Sequence, residues 1–240
     1  MGRSATLSRK TKETNIEVTL DLDGTGRAQI DTPLPFLTHM VEQIARHGLV
    51  DLTVKATGDV EIDGHHTTED LGLVIGQCVA KALGDKAGLV RYGWATLPMD
   101  EARVTCALDL SGRPYFVWEV PLPRGATIGT WDVELAPVFF EAFARGAQCN
   151  LHVVLHAGEI LHHIVEISFK ALARALREAV KLEPRVTGVH GAPVRMCRGG
   201  LRTLHAERLG GGGQRQHAQK QRHQATSKQA CVEHKASVGR

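Results

Sequence analysis

One five-residue pattern occurs twice in this chain, as His65-His66-Thr67-Thr68-Glu69 and, 97 residues later, as His162-His163-Ile164-Val165-Glu166. Each copy opens a run with helical apolar spacing, so the fold must place two equivalent helix starts. On a helix, the first His and the Glu (i, i+4) are neighbours on one face. The adjacent histidines diverge by about 100°. Each helix start can therefore offer ligands in two directions. A single copy would read as a capped helix with a solvated glutamate, whereas two copies in register favour metal binding.

The segments around the motifs repeat as well. Residues 14–22 alternate apolar and polar, the period of a half-buried strand. A turn over 23–26 leads to a short returning strand at 27–30, and Pro33 and Pro35 precede a helix from about Phe36 to Gly48. Residues 49–55 alternate again, a short strand is expected at 60–62, and the first motif launches a helix through Leu83. After a linker the order recurs. Strands are expected at 102–110 and 115–120, a helix at 137–146, a strand at 150–155, and a second motif helix running to about Leu182. The expected architecture is α+β, two duplicated halves of about 8–95 and 96–186, each a small mixed sheet with two helices on one face.

Composition limits the alternatives. Hydrophobic residues make up 42% and aromatics 5%, so the core must rest on aliphatic side chains. The net charge of +3 hides a division: eleven Lys and Arg against two acids from Arg185 onward, on a mildly acidic body. Five scattered cysteines without C-x-x-C spacing argue against a disulfide scaffold or zinc ribbon, and for a reducing, cytoplasmic setting. No apolar run approaches the 18 or so residues that span a bilayer. Residues 187–240 form an atypical basic tail rich in Gly, Gln and His, whose composition predicts disorder over about 190–240.

Histidine with carboxylate and no cysteine at ligand spacing suits Mn²⁺, Fe²⁺ or Zn²⁺ with open coordination positions. The motifs supply His65, His66, Glu69, His162, His163 and Glu166. His39, on the first helix, and His152, on the strand before the second motif, stand at matching stages of the halves and raise the donors to eight. His47 and His156 lack the pattern and read as ordinary surface or capping residues.

Several strings resemble imidazoleglycerol-phosphate dehydratase in its order and spacing over about residues 8–186. They are Thr11-Lys12-Glu13-Thr14, Asp31 to Leu37 running into His39-Met40, Gly58 to Asp70, Asp109 to Pro114, and His162 to Phe169. The resemblance implies a ribosomal-protein-domain-2-like fold, a 24-subunit shell, and two manganese ions per active site, bound between neighbouring subunits. It also implies dehydration of D-erythro-imidazole glycerol phosphate to imidazole acetol phosphate in histidine biosynthesis. The proton to be removed has no adjacent carbonyl. Two metals on the imidazole would stabilise it as imidazolate, and a carboxylate would shuttle the proton. By the resemblance Glu13 is that acid/base, and Arg91 and Arg113 hold the phosphate. Asp100-Glu101 also matches, without a clear role.

The C-terminus departs from the resemblance. A Ser-Thr-Lys-Gly segment that would help hold phosphate is replaced by His190-Gly191-Ala192-Pro193-Val194-Arg195, with Arg195 the nearest substitute. Two other functions compete. A metal-dependent hydrolase of another phosphorylated small molecule would use the same ligands. A nucleic-acid binder would use the basic tail, but that tail lacks interleaved aromatics.

Overall fold

A computed structural model describes residues 2–186. The first half contains strands β1 (Ser4–Lys10), β2 (Thr14–Asp21) and β3 (Ala28–Asp31), helix α1 (Pro35–Gly48), strand β4 (Asp51–Gly58) and helix α2 (His65–Ala82). The second contains β5 (Tyr92–Met99), β6 (Ala102–Asp109), β7 (Tyr115–Glu119), a two-residue hairpin β8 (Thr127–Ile128) and β9 (Trp131–Asp132), helix α3 (Leu135–Ala147), β10 (Asn150–Ala157) and α4 (Leu161–Ala179). Apart from the small hairpin, the halves have one topology. Their sheets run β1-β2-β4-β3 and β5-β6-β10-β7, with one parallel pair each, β3 with β4 and β7 with β10.

Burial follows the alternation. Ile16, Val18 and Leu20 of β2 are buried while Asn15, Glu17 and Thr19 face out, and Val104, Cys106 and Leu108 of β6 repeat this. The buried faces meet the helices. Each sheet is covered on one side by its own pair, and the pairs join across the halves, α2 on α3 and α1 on α4. Small residues allow the α2–α3 contact: a Cβ on Gly72 would lie 2.6 Å from the Phe139 carbonyl oxygen, and Gly76 and Gly146 press as closely on the backbones of Phe143 and Leu73. Phe139, Phe140 and Phe169 stack at centroid distances of 4.8–6.0 Å where α3 meets α4.

The architecture agrees with the α+β duplicated reading, and several details correct it. The strand expected to return after residue 26 does not pair with β2. It lies at the far edge, parallel to β4. Residues 60–62 form a turn, held by the Ile62 N–H on the Asp59 carbonyl at 2.9 Å. The edge strands β1 and β5 were not expected; β5 pairs along its length with β6, so Tyr92 to Ala95 belong to the second sheet. The disorder expected over about 190–240 falls outside the described residues.

Candidate metal centre

Both motifs sit at helix starts, where the chain turns in from a strand. Gly64 precedes α2 as its N-cap, and Ile160 precedes α4. The two helices correspond in backbone detail: the N–H of Leu83 reaches the Val79 carbonyl oxygen at the end of α2, as that of Val180 reaches Leu176 at the end of α4. His65 and Glu69 therefore hold the same positions as His162 and Glu166. In each helix the paired rings stand nearly perpendicular, at 89° for His65–His66 and 84° for His162–His163. This is the divergence that a helical backbone imposes on adjacent residues.

The α4 start is the fuller site. Among the described residues, His39, His162 and Glu166 form the one group of three whose ligand atoms lie within 4.8 Å of one another. His162 Nε2 is 3.0 Å and His39 Nε2 3.6 Å from Oε2 of Glu166, while Oε1 accepts from Lys170 Nζ at 2.8 Å. One carboxylate oxygen is thus anchored and the other faces both imidazoles. Burial favours the neutral acid of Glu166, but the hydrogen bond and charge of Lys170, with His162 and His39, outweigh it and hold the carboxyl below its ordinary range. Two imidazoles and one ionised carboxylate, with the remaining positions open, fit a divalent ion of the Mn, Fe or Zn kind.

The second histidines are held by carboxylates. His66 Nδ1 donates to Asp59 Oδ2 at 3.0 Å, and His163 Nδ1 to Glu101 Oε2 at 2.8 Å. Each bond raises the histidine pKa. Each also fixes the ring and leaves Nε2 as the ligand atom, the usual outer partner of a metal-binding imidazole. Glu13 stands beside the first of these pairs: its carbonyl oxygen accepts the Asp59 N–H at 3.1 Å, and its negative charge adds to the shift of His66.

The α2 start is looser. His65 Nε2 lies 3.9 Å from Glu69 Oε2, and Glu69 Oε1 accepts from Arg145 at 2.6 Å. Within one chain His152 lies apart from both motifs, exposed on the outer face of β10 beside Tyr115, in a shallow depression lined by Tyr92, Trp94, Asp109 and Asn150. Nor does it match His39. The ends of α1 and α3 superpose through left-handed caps, Leu49 (φ 54°) on Ala45 and Gln148 (φ 53°) on Ala144, so the counterpart of His39 is Val138.

Arg91 and Arg113 lie at the other end of the second sheet. Arg91 precedes β5 and clamps Asp109, at the end of β6, with Nε at 2.6 Å. Arg113 sits on the following turn, its N–H donating to Ser111 Oγ at 3.3 Å. His163 contacts the turn at the opposite end of these eight-residue strands, a span of about 23 Å. Arg195 falls outside the described residues. Sequence reasoning passed over Lys170 and Asp59; the i+4 spacing from Glu166 to Lys170 was the one visible signal.

A family model for imidazoleglycerol-phosphate dehydratase matches residues 32–176, which take in both motifs, all of α2 and most of α4. The chain belongs to the imidazoleglycerol-phosphate dehydratase family. The dehydratase of Geobacter sulfurreducens is 52% identical over 189 residues, covering 79% of this chain and 96% of the relative. That of Roseobacter denitrificans is 54% identical over 183 residues, covering 76% and 93%. Among solved structures, the dehydratase of Staphylococcus aureus matches with a TM-score of 0.68 at 34% identity, over 75% of this chain and 99% of the other. The Pyrococcus furiosus dehydratase, solved in complex with (S)-C348, matches with a TM-score of 0.64 at 34% identity, over 75% and 96%. Membership makes the chain a hydro-lyase of histidine biosynthesis, with a phosphorylated small molecule as substrate. No described helix is long and apolar enough to cross a membrane.

Proposed function

We propose that this dehydratase converts D-erythro-imidazole glycerol phosphate to imidazole acetol phosphate in the cytoplasm, using two divalent ions per active site, manganese in the first place. The observation that carries the reading is the convergence of His39, His162 and Glu166. When bound, the ions supply Lewis acidity that stabilises negative charge on the substrate's imidazole ring. His39, His162 and Glu166 would hold one ion, and His65 and Glu69 would contribute to the other. His66 and His163, each fixed through Nδ1, would present Nε2 to the ions of a neighbouring subunit. Glu13, exposed beside the Asp59–His66 pair, takes the carbon-bound proton; the C–O bond of the neighbouring hydroxyl breaks with loss of water, and the enol left behind is protonated on carbon to give the ketone. Arg91 and Arg113 bind the phosphate, Arg91 already oriented by Asp109.

The distance between these arginines and the motif helices supports a homo-oligomer, in which one copy supplies the phosphate end and another the metals. The outer face of the second sheet supports the same reading. Tyr92, Trp94 and Tyr115 are 58%, 70% and 62% exposed there, and the positions matching Tyr92 and Trp94 on the first sheet are Ser4 and Thr6. A 24-subunit shell is the assembly proposed.

The test is turnover of imidazole glycerol phosphate by the purified full-length chain after chelation, with and without restored Mn²⁺. Metal-dependent turnover, reduced about 10²–10⁴-fold in Glu13→Gln with metal content unchanged, is expected. A folded, metal-loaded protein without turnover, or turnover indifferent to chelation, would overturn the reading.

A further inference from the structure

The turn between β1 and β2 and the turn between β5 and β6 occupy the same place in the two halves, yet they are held differently. Strand register aligns them, since Arg9 pairs with Ile16 as Leu97 pairs with Val104. Two glycines fix the correspondence from the helix side. A Cβ on Gly58 would meet Thr67 Oγ1 and Thr14 Cγ2, and one on Gly158 would meet Ile164 Cγ1 and Ala102 Cβ. Thr67 and Ile164 are the third residues of the two motifs. Thr14 therefore matches Ala102, Glu13 matches Glu101, and Asp70, which follows the motif glutamate, matches Ile167.

A directed chain of hydrogen bonds leads to Glu13. The Thr14 hydroxyl donates to Asp70 Oδ2 at 2.6 Å, and Arg9 Nε donates to Oδ1 at 2.8 Å. Thr14 and Asp70 are both buried. With its proton committed to Asp70, Thr14 Oγ1 accepts from the Thr11 hydroxyl at 3.2 Å. The Thr11 oxygen then accepts the N–H groups of Glu13 at 3.1 Å and of Thr14 at 2.9 Å. On the other side, the Glu13 carbonyl oxygen holds the Asp59 N–H. The peptide groups flanking Glu13 are fixed while its side chain is exposed.

The second half has apolar residues at all four places. Leu97, Met99, Ala102 and Ile167 stand where Arg9, Thr11, Thr14 and Asp70 stand in the first. The same fold thus closes this corner without polar groups, and the polar set bears a desolvation cost that the apolar set avoids. The turn acids differ in step. Glu101 is engaged by His163 and the Ile160 N–H, whereas Asp59 takes the matching bond to His66 and Glu13 is spared it. The polar chain accompanies the turn whose acid is exposed.

Resting on the proposed role of Glu13 as acid/base, we infer that Thr11, Thr14 and Asp70 are positioning residues for its carboxylate. Asp70 anchors the two hydroxyls, and they fix the turn. Because Asp70 adjoins Glu69, the helix that offers metal ligands also sets where the base stands.

The test is steady-state turnover of imidazole glycerol phosphate by the Mn²⁺-loaded full-length chain, with Mn²⁺ affinity measured beside it. Thr14→Val keeps the shape of the side chain and should lower kcat about 10²-fold, the scale of a catalytic group displaced by about 1 Å. KM and Mn²⁺ affinity should hold. Thr11 stands half-buried on the turn, so Thr11→Val leaves the core intact and should lower kcat in the same sense. Asp70→Asn offers one acceptor oxygen to two donors and should lower it too. Thr14→Ser and Thr11→Ser should restore kcat. In the Glu13→Gln background, Thr14→Val should cost less than about twofold more, because the group it positions is already gone. A full additional loss in that background, or undiminished kcat in Thr14→Val and Thr11→Val, would overturn the inference while leaving Glu13 as the acid/base. Undiminished turnover in Glu13→Gln itself would overturn that role and the inference with it.

Discussion

The imidazole Nδ1 of His163 donates to Glu101 Oε2 across 2.8 Å, joining the start of α4 to the turn between β5 and β6. The Ile160 N–H reaches the other oxygen of the same carboxylate, also at 2.8 Å. With the His163 bond foremost, these contacts hold the Glu101 carboxyl down at about 2, and Glu101 in turn raises His163.

This pair predicts a pH window in the metal-free protein. Glu101 is depressed from an ordinary 4.5, so its contribution is present above 4.5 and lost as pH falls towards about 2. His163 is raised from 6.5, so its contribution is present below 6.5 and lost as pH rises through the folded value. The difference in thermal midpoint between the unaltered protein and Glu101→Gln should be largest from pH 4.5 to 6.5 and shrink on both sides. A difference that is flat across pH would mean that the pair does not couple to folding.

The same substitution should weaken Mn²⁺ binding about 10–100-fold near neutral pH, because the ring loses the group that fixes its tautomer. Equilibrium dialysis of Glu101→Gln against the unaltered chain measures this, and equal affinities would deny Glu101 its orienting role.

Gly146→Ala should destabilise the fold by roughly 1–3 kcal/mol, the usual cost of overpacking. Its new methyl would press on the backbone of Leu73 and Gln77, which belong to a packed helix and cannot give way as a side chain can. Urea denaturation gives the value; a change below about 0.5 kcal/mol, as at an ordinary surface site, would show that α2 and α3 do not meet so closely.

Arg113→Ala should raise KM at least tenfold for the phosphorylated substrate while Mn²⁺ affinity stays constant, since its exposed side chain stands a strand length from the ligands. Steady-state kinetics beside metal titration separates the two effects, and an unchanged KM would remove Arg113 from the phosphate site.

Cys78, Cys106 and Cys149 should resist alkylation in the native protein at pH 7.5 and react only in denaturant. All three are buried; burial pushes the thiols of Cys78 and Cys149 up to about 11 and about 12, and raises that of Cys106 too. Peptide mass mapping reads the labelling site by site, and native labelling of any of the three would contradict its burial.

The sequence showed the duplication because helical and strand periods survive in aliphatic side chains, as in Ile16, Val18 and Leu20 against Val104, Cys106 and Leu108. It did not show β1 and β5. These are edge strands, half open to solvent, with Arg9 and Lys10 in one and Pro98 in the other. The motif residues were legible because covalent spacing alone sets them on one helix face. The company they keep was not. His39 reaches Glu166 through the packing of α1 on α4, a contact across more than 120 residues that no local period records.

The helix pairing has a consequence for how such a chain can have arisen. Each motif helix packs on a helix of the other half: α4 on α1, and α2 on α3. A half-length chain could form such a helix pair only by docking on a second copy of itself, with two identical pairs related by a twofold axis. Joining the halves turns that encounter into an intramolecular one at fixed effective concentration. It also frees the pairs from the symmetry of a dimer, so a substitution in one no longer appears in the other.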